Sequence, residues 1–309
     1  MKIDMKKFVF PSGREALTSA LTLEGFWRPK RVAIPEWSSH CVISAVGKIA
    51  TPIPMREVVQ YGIKVEAVLI YEQYGWPIGN NCQDEISERF KDTVIILDRV
   101  DSADIDNKNR VQFYPRNKQI DIFSLSKLLG LRGGGFAKVN GDFIAFSANG
   151  KHEMLSKILW AKNNKEKLAK NNLSENLLGI HKHYLQALPS DLKTWLSKND
   201  LKKALDNENK KRVEAMSKIM STSLVEDWPK WMLSAVENDV APSWVPLFKE
   251  KSEKELEDLK LKMKDKFGIY SPVCHFDWAG NSIKNNYQKS LMFPINGFND
   301  EAIKFLNSL

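Results

Sequence analysis

The chain is predicted to be an α/β protein, with a mostly parallel sheet covered by helices on both faces and a smaller α+β region behind it. Residues 32–34, 65–71, 94–97 and 120–123 are short, nearly continuous apolar runs bounded by polar or turn residues, the pattern of strands buried on both faces. Helical patterns separate the early runs, which is the order a parallel sheet needs for its crossovers. Beyond about residue 150 the alternation gives way to long lysine-rich helical stretches and a few late strand-like pieces.

Taken in order, Ser12-Gly13-Arg14-Glu15-Ala16-Leu17 opens a helix with apolar residues at Leu17, Ala20 and Leu21, three to four apart. Residues 32–34 read as a strand and 42–49 as a helix. Residues 65–71 and 94–97 are the next two strands, and Asp98 closes the second. Residues 151–171, 192–221 and 253–266 read as helices, the last with Leu256, Leu259 and Met263 on one face. Residues 269–276 and 290–294 are strand-like, and residues 300–306 form a closing helix. This divides the chain into a large domain over residues 1–160 and a small C-terminal domain over 161–309, with a long helix able to bridge the two.

Composition narrows the function classes. With 43% hydrophobic and 27% charged residues the sequence is that of an ordinary globular protein. No apolar run approaches a membrane span, and no signal peptide is evident, so no membrane partner and a cytoplasmic location are expected. The net charge of +8 lies largely in lysine-rich helical stretches with acidic residues interspersed. It reads as a solvated surface, and no nucleic-acid module is expected. Cys41, Cys82 and Cys274 lie far apart without metal-ligand spacing, and are expected to be buried thiols in a reducing compartment, with no metal site.

The chemistry concentrates at Ser124-Leu125-Ser126-Lys127, which follows the apolar run 120–123 and precedes Gly130-Leu131-Arg132-Gly133-Gly134-Gly135. A lysine there, with a hydroxyl three residues before it and glycines behind it, suits a Schiff-base lysine for pyridoxal phosphate (PLP), because such an amine must approach an aldehyde closely. Asp98, at a strand's end where ligands of parallel sheets gather, suits the carboxylate that keeps a pyridine nitrogen protonated. Ser12, Gly13 and Arg14 at a helix start, with Ser124, suit a phosphate, and Arg132 could add charge. Trp37 or His40, after the strand at 32–34, could cover a ring face. His152, His181, His183 and His275 show no triad or metal spacing.

With these residues the chain resembles the DegT–StrS family of PLP-dependent, fold-type-I nucleotide-sugar aminotransferases. The family's S-G-T-x-A-L phosphate motif is similar to Ser12–Leu17, with Arg14 in place of threonine. Its H-x-Y-G-x-P turn is similar to Glu72-Gln73-Tyr74-Gly75-Trp76-Pro77, with Glu72 in place of histidine. Its I-x-D segment matches Ile96-Leu97-Asp98, and its serine–lysine–glycine block matches residues 124–135. Late segments, His275-Phe276-Asp277 and Leu291-Met292-Phe293-Pro294-Ile295, resemble the small domain's closing strands. Three residues past the ring aspartate, where the family has Gln or His near the cofactor's phenolic oxygen, this chain has Asp101, and fewer residues precede Ser12 than the family usually carries.

The resemblance implies a homodimer with PLP on Lys127 and a ring nitrogen held by Asp98. It also implies an amino group moved from a donor such as glutamate to a keto-sugar nucleotide for surface polysaccharide. After Arg212 the sequence contains no arginine. That argues against the bidentate C-terminal arginine by which many amino-acid aminotransferases hold an α-carboxylate, and leaves Arg99, Arg132 or a lysine for that role. Two other readings use the same residues: a PLP-dependent lyase or dehydratase, and a non-catalytic binding protein.

Overall fold

A computed structural model describes residues 5–106, 110–144, 188–248, 251–297 and 299–308. The predicted helix at 151–171, His152, His181, His183 and the 160/161 boundary lie outside the described residues.

Seven strands form one sheet in the order β2-β1-β3-β4-β5-β6-β7. They are β1 (Arg31–Ile34), β2 (Thr51–Pro54), β3 (Ala67–Tyr71), β4 (Val94–Asp98), β5 (Gln119–Ser124), β6 (Gly135–Val139) and β7 (Asp142–Phe143). The first five pair in parallel, while β6 and β7 run antiparallel. The apolar runs form this sheet because alternate side chains find a separate core on each face. Val32, Ile34, Leu69, Ile96, Ile120 and Ile122 pack against α1 (Gly13–Leu23) and α2 (His40–Gly47) on one side. Ala33, Val68, Ile70, Ile95 and Leu97 pack against α3 (Met55–Tyr61) and α4 (Asn80–Arg89) on the other. The parallel strands therefore all end on one edge, from which the α1, α2 and α5 (Leu125–Leu129) regions take their side chains.

The predicted single helix over 192–221 is two helices, α6 (Ser190–Lys198) and α7 (Leu201–Met220). Asn199 is extended at φ −121°, and the Asp200 side chain accepts from Lys203 N, so a new N-cap interrupts the pattern. Leu192, Leu196, Leu201 and Leu205 pack with Phe123 and Phe136 of the large sheet, whereas Met216 and Ile219 join the second core.

That second core lies under a three-stranded antiparallel sheet in the order β8-β10-β9, made of β8 (Trp244–Leu247), β9 (Val273–Asp277) and β10 (Tyr287–Pro294). It is flanked by α8 (Lys230–Glu237), α9 (Glu253–Phe267) and α10 (Asp300–Asn307). The strand expected over 269–276 begins only at Val273, because Gly268 ends α9 in a left-handed cap and Pro272 follows. Among the described residues, no helix is long and apolar enough to cross a membrane.

Candidate active site

One end of the site is built where α1 begins. Ser12 caps the helix, its Oγ accepting from Glu15 N at 3.2 Å, and the remaining amides of the first turn have no intrahelical acceptor. The glycine block presses this helix end onto the β5–α5 junction. Gly134 N donates to Pro11 O at 2.7 Å and Gly135 N to Phe10 O at 3.1 Å. A Cβ at Gly135 would meet Gly13 Cα at 2.5 Å, and one at Gly13 would meet Ser124 Cβ at 3.3 Å. The packing therefore excludes a side chain at Gly135 and leaves only tight room for one at Gly13. The Ser124 and Ser126 hydroxyls lie 2.9 Å apart on α5. Arg14 is exposed beside them.

At the other end stand two carboxylates and one amine. Asp98, the last residue of β4, is 5% exposed. Its carboxylate accepts from Val100 N at 3.4 Å, and among the described residues it makes no ion pair. Burial pushes it up to about 6, with Lys127 pulling the other way. Asp101, also 5% exposed, accepts through Oδ2 from Lys127 Nζ at 3.0 Å and from Tyr71 Oη at 3.0 Å. Asp101 and Asp98 together raise the Lys127 ammonium against its own desolvation. The Lys127 side chain remains 49% exposed, so it faces an opening, not a sealed core.

Trp37 and His40 lie in the loop before α2 and at its first residue. Trp37, 54% exposed, stacks on His275 of β9 with ring centroids 3.9 Å apart, and so joins the large sheet's loops to the small sheet. His40 is exposed as the first residue of α2. Cys41 beside it is also exposed, contrary to the expectation of buried thiols, because it lies at the start of α2 near the Lys127 amine.

The arginines named as carboxylate candidates are used elsewhere. Arg99 has no exposed side-chain surface and pairs with Glu72 at 2.8 Å and Asp121 at 2.9 Å. Arg132 is 87% exposed and reaches Asp191 at 3.5 Å. Arg110 meets the same Glu72. Glu72, in the place of the family's histidine, thus bridges two buried guanidinium groups.

Sequence reasoning missed Tyr71, which pairs with Asp98 across β3 and β4 and donates to Asp101. A polar residue closing an apolar strand was the available signal. It also missed the wall opposite Lys127. A cavity of about 550 Å³ is lined by Lys127, Asn207, Glu208, Lys211, Trp244 and Asn296, among others. Arg212 contributes but is occupied, donating to Glu208 Oε1 at 2.8 Å and to Asp101 O at 2.7 Å. No spacing rule connects α7 and β8 with residue 127, so nothing in the sequence pointed there.

The donor set fits pyridoxal phosphate. A buried carboxylate without an ion pair calls for a protonated ring nitrogen, and a helix start with two hydroxyls suits a phosphate ester. Asp98 would hold the nitrogen, Ser12, Gly13, Ser124 and Ser126 the phosphate, and Lys127 the aldehyde carbon.

Comparison with known proteins agrees. Residues 1–228 match the family model described as "Putative PLP-dependent aminotransferase". Among curated proteins, none matches the chain in sequence. Among solved structures, YbdL from Escherichia coli, identified as having a methionine aminotransferase function, is similar over 100% of this chain and 79% of its own, at TM-score 0.55 and 10% identity. A "putative sugar aminotransferase" from Streptococcus pneumoniae in its PMP form is similar over 97% of this chain and 86% of its own, at TM-score 0.56 and 12% identity. An aromatic amino acid aminotransferase from Burkholderia cenocepacia is similar over 97% and 73%, at TM-score 0.51 and 12% identity. At such identities these likenesses bear on the fold, which is that of the PLP-dependent aminotransferases of fold type I.

Proposed function

The chain belongs to the family of PLP-dependent aminotransferases, and from that premise we propose that it aminates a keto group on a nucleotide-linked sugar, as a DegT–StrS-type enzyme. Bound PLP supplies an electron sink that lets an amino group leave one carbon and join another. Lys127 bears the cofactor and, once released, moves the proton at the donor's Cα, first as base and then as acid. Asp98 holds the proton at the pyridine nitrogen. The amides of Gly13 and Arg14, with the Ser12, Ser124 and Ser126 hydroxyls, orient the phosphate. Trp37 and His40 stand at the α2 side, where a ring face would be covered.

The observation that carries the sugar reading is the cavity wall beside Lys127. Asn207 and Trp244 offer an amide and an apolar ring to a hydroxyl-rich sugar, while Arg212 and the Asn296 amide are engaged by Glu208. Lys211 is then the cation left on that wall for a donor carboxylate. The enzyme works as a homodimer in the cytoplasm, without nucleic-acid or membrane partners. Residues 1–160 are its cofactor lobe and 161–309 its smaller lobe, with α6 and the start of α7 packing on the large sheet.

The test offers glutamate together with nucleotide-linked keto-sugars, and separately glutamate with 2-keto acids. The expected result is 2-oxoglutarate release that depends on the keto-sugar. Turnover confined to 2-keto acids would overturn the sugar assignment and leave the aminotransferase.

A further inference from the structure

We propose that Asp101 is a positioning residue that holds Lys127 at the end of β4 whenever its amine is free, and thereby sets the pH range over which Lys127 takes up cofactor. The inference rests on the reading of Lys127 as the cofactor-bearing lysine. One oxygen, Asp101 Oδ2, accepts from both Lys127 Nζ and Tyr71 Oη, each at 3.0 Å. Tyr71 Oη is itself fixed, accepting from Tyr74 N at 3.2 Å. Arg212 Nη1 pins the Asp101 backbone carbonyl at 2.7 Å. The carboxylate is thus held from β3, from α7 and by its own loop, and is 5% exposed.

A carboxylate so placed stabilises the ammonium. Bonding of Nζ to an aldehyde carbon needs the lone pair, so a proton must go to solvent before the C=N bond forms and one water leaves. The other charged groups facing Lys127 do not reproduce this. Asp98 acts on the amine through space but makes no ion pair with it among the described residues. Cys41 approaches from α2. On the cavity wall of α7, Glu208 is taken by Arg212 and Asn296, and Lys211 is a like charge. Tyr71 is held protonated by burial and by Asp101.

The experiment uses the full chain stripped of cofactor. Acylation of Lys127 is followed against pH by peptide mass for wild type and Asp101→Asn, and PLP fixed by borohydride is mapped in parallel. The midpoint at Lys127 is expected to fall by about one unit or more in Asp101→Asn, the usual effect of losing an adjacent opposite charge. Asp101→Glu is expected to restore part of it, and PLP fixation should move by the same amount. An unchanged midpoint in Asp101→Asn, with PLP still fixed on Lys127, overturns this proposal alone. PLP fixed on no form at Lys127 overturns the reading beneath it, and this proposal with it. If Asp101→Asn does not fold, the wild type alone supplies the decision, since salt screens a pair with a buried partner only weakly. Its Lys127 midpoint should lie above those of the exposed lysines, and a midpoint at or below theirs overturns the proposal.

Discussion

Two charge clusters lie side by side at the ends of β3 and β4, and they are built differently. In the first, Glu72 and Asp121 face Arg99 and Arg110, these four side chains being at most 1% exposed, and Asp104, 20% exposed, reaches Arg110 at 3.8 Å. Each buried guanidinium has an acid partner, as buried charges require. In the second, Asp98 and Asp101 face the single amine of Lys127, which is half open to the cavity. One positive group is missing there, and a protonated pyridine nitrogen would complete it. Asp98 and Arg99 are neighbours in sequence, yet each belongs to a different cluster, because successive residues of an extended chain point to opposite faces. In the first cluster each buried charge has a partner, whereas in the second Asp98 has no ion pair among the described residues.

The contrast can be broken at several points. The largest effect is expected from Lys127→Ala, which should abolish both borohydride-fixed cofactor and transamination. Cofactor mapped to another lysine with turnover retained would refute the assignment. Next comes Glu72→Gln, which leaves two buried guanidinium groups without their shared partner. Equilibrium denaturation should show a loss of about 3–5 kcal/mol, the usual cost of removing one member of a buried pair. A loss below about 1 kcal/mol would mean that Asp121 and Asp104 compensate.

Asp98→Asn sharpens the other side through pH. Burial raises Asp98 to about 6, above the roughly 3.9 of an unfolded aspartate, so the folded chain binds that proton more tightly. Stability of the cofactor-free protein should therefore fall as pH rises from about 4 to about 6, by roughly 3 kcal/mol from this group. Asp98→Asn should flatten that slope and weaken cofactor retention; wild-type slope and retention in the variant would reduce Asp98 to a strand cap. The smallest effect belongs to Arg132→Ala. Its exposed pair with Asp191 should contribute less than about 0.5 kcal/mol, and cofactor retention should be unchanged when measured by gel filtration and absorbance.

Where side chains answer to local rules, the sequence was a sufficient guide. The runs at 32–34, 94–97 and 120–123 are strands because their apolar content requires burial on both faces, and Asp98 and Lys127 stand at the edge where such strands end. Ser12 and the glycines announce a capped helix start with close backbone approach, and the PLP chemistry follows from these positions together. The break at Asn199 and Asp200 escaped notice because helical periodicity continues across it, and only the cap shows the interruption.

What the sequence determined by itself is therefore the layered α/β fold and the candidate groups at its strand ends and helix start, because periodicity, capping and strand ends are local. Only the tertiary structure decided the partners. It set Asp101 and Tyr71 against Lys127, sealed Arg99 and Arg110 around Glu72, laid Trp37 on His275, and brought Asn207, Lys211 and Asn296 to the cavity wall. These contacts join residues distant along the chain, and their pairing depends on which strand ends and helices pack together, which no local pattern encodes.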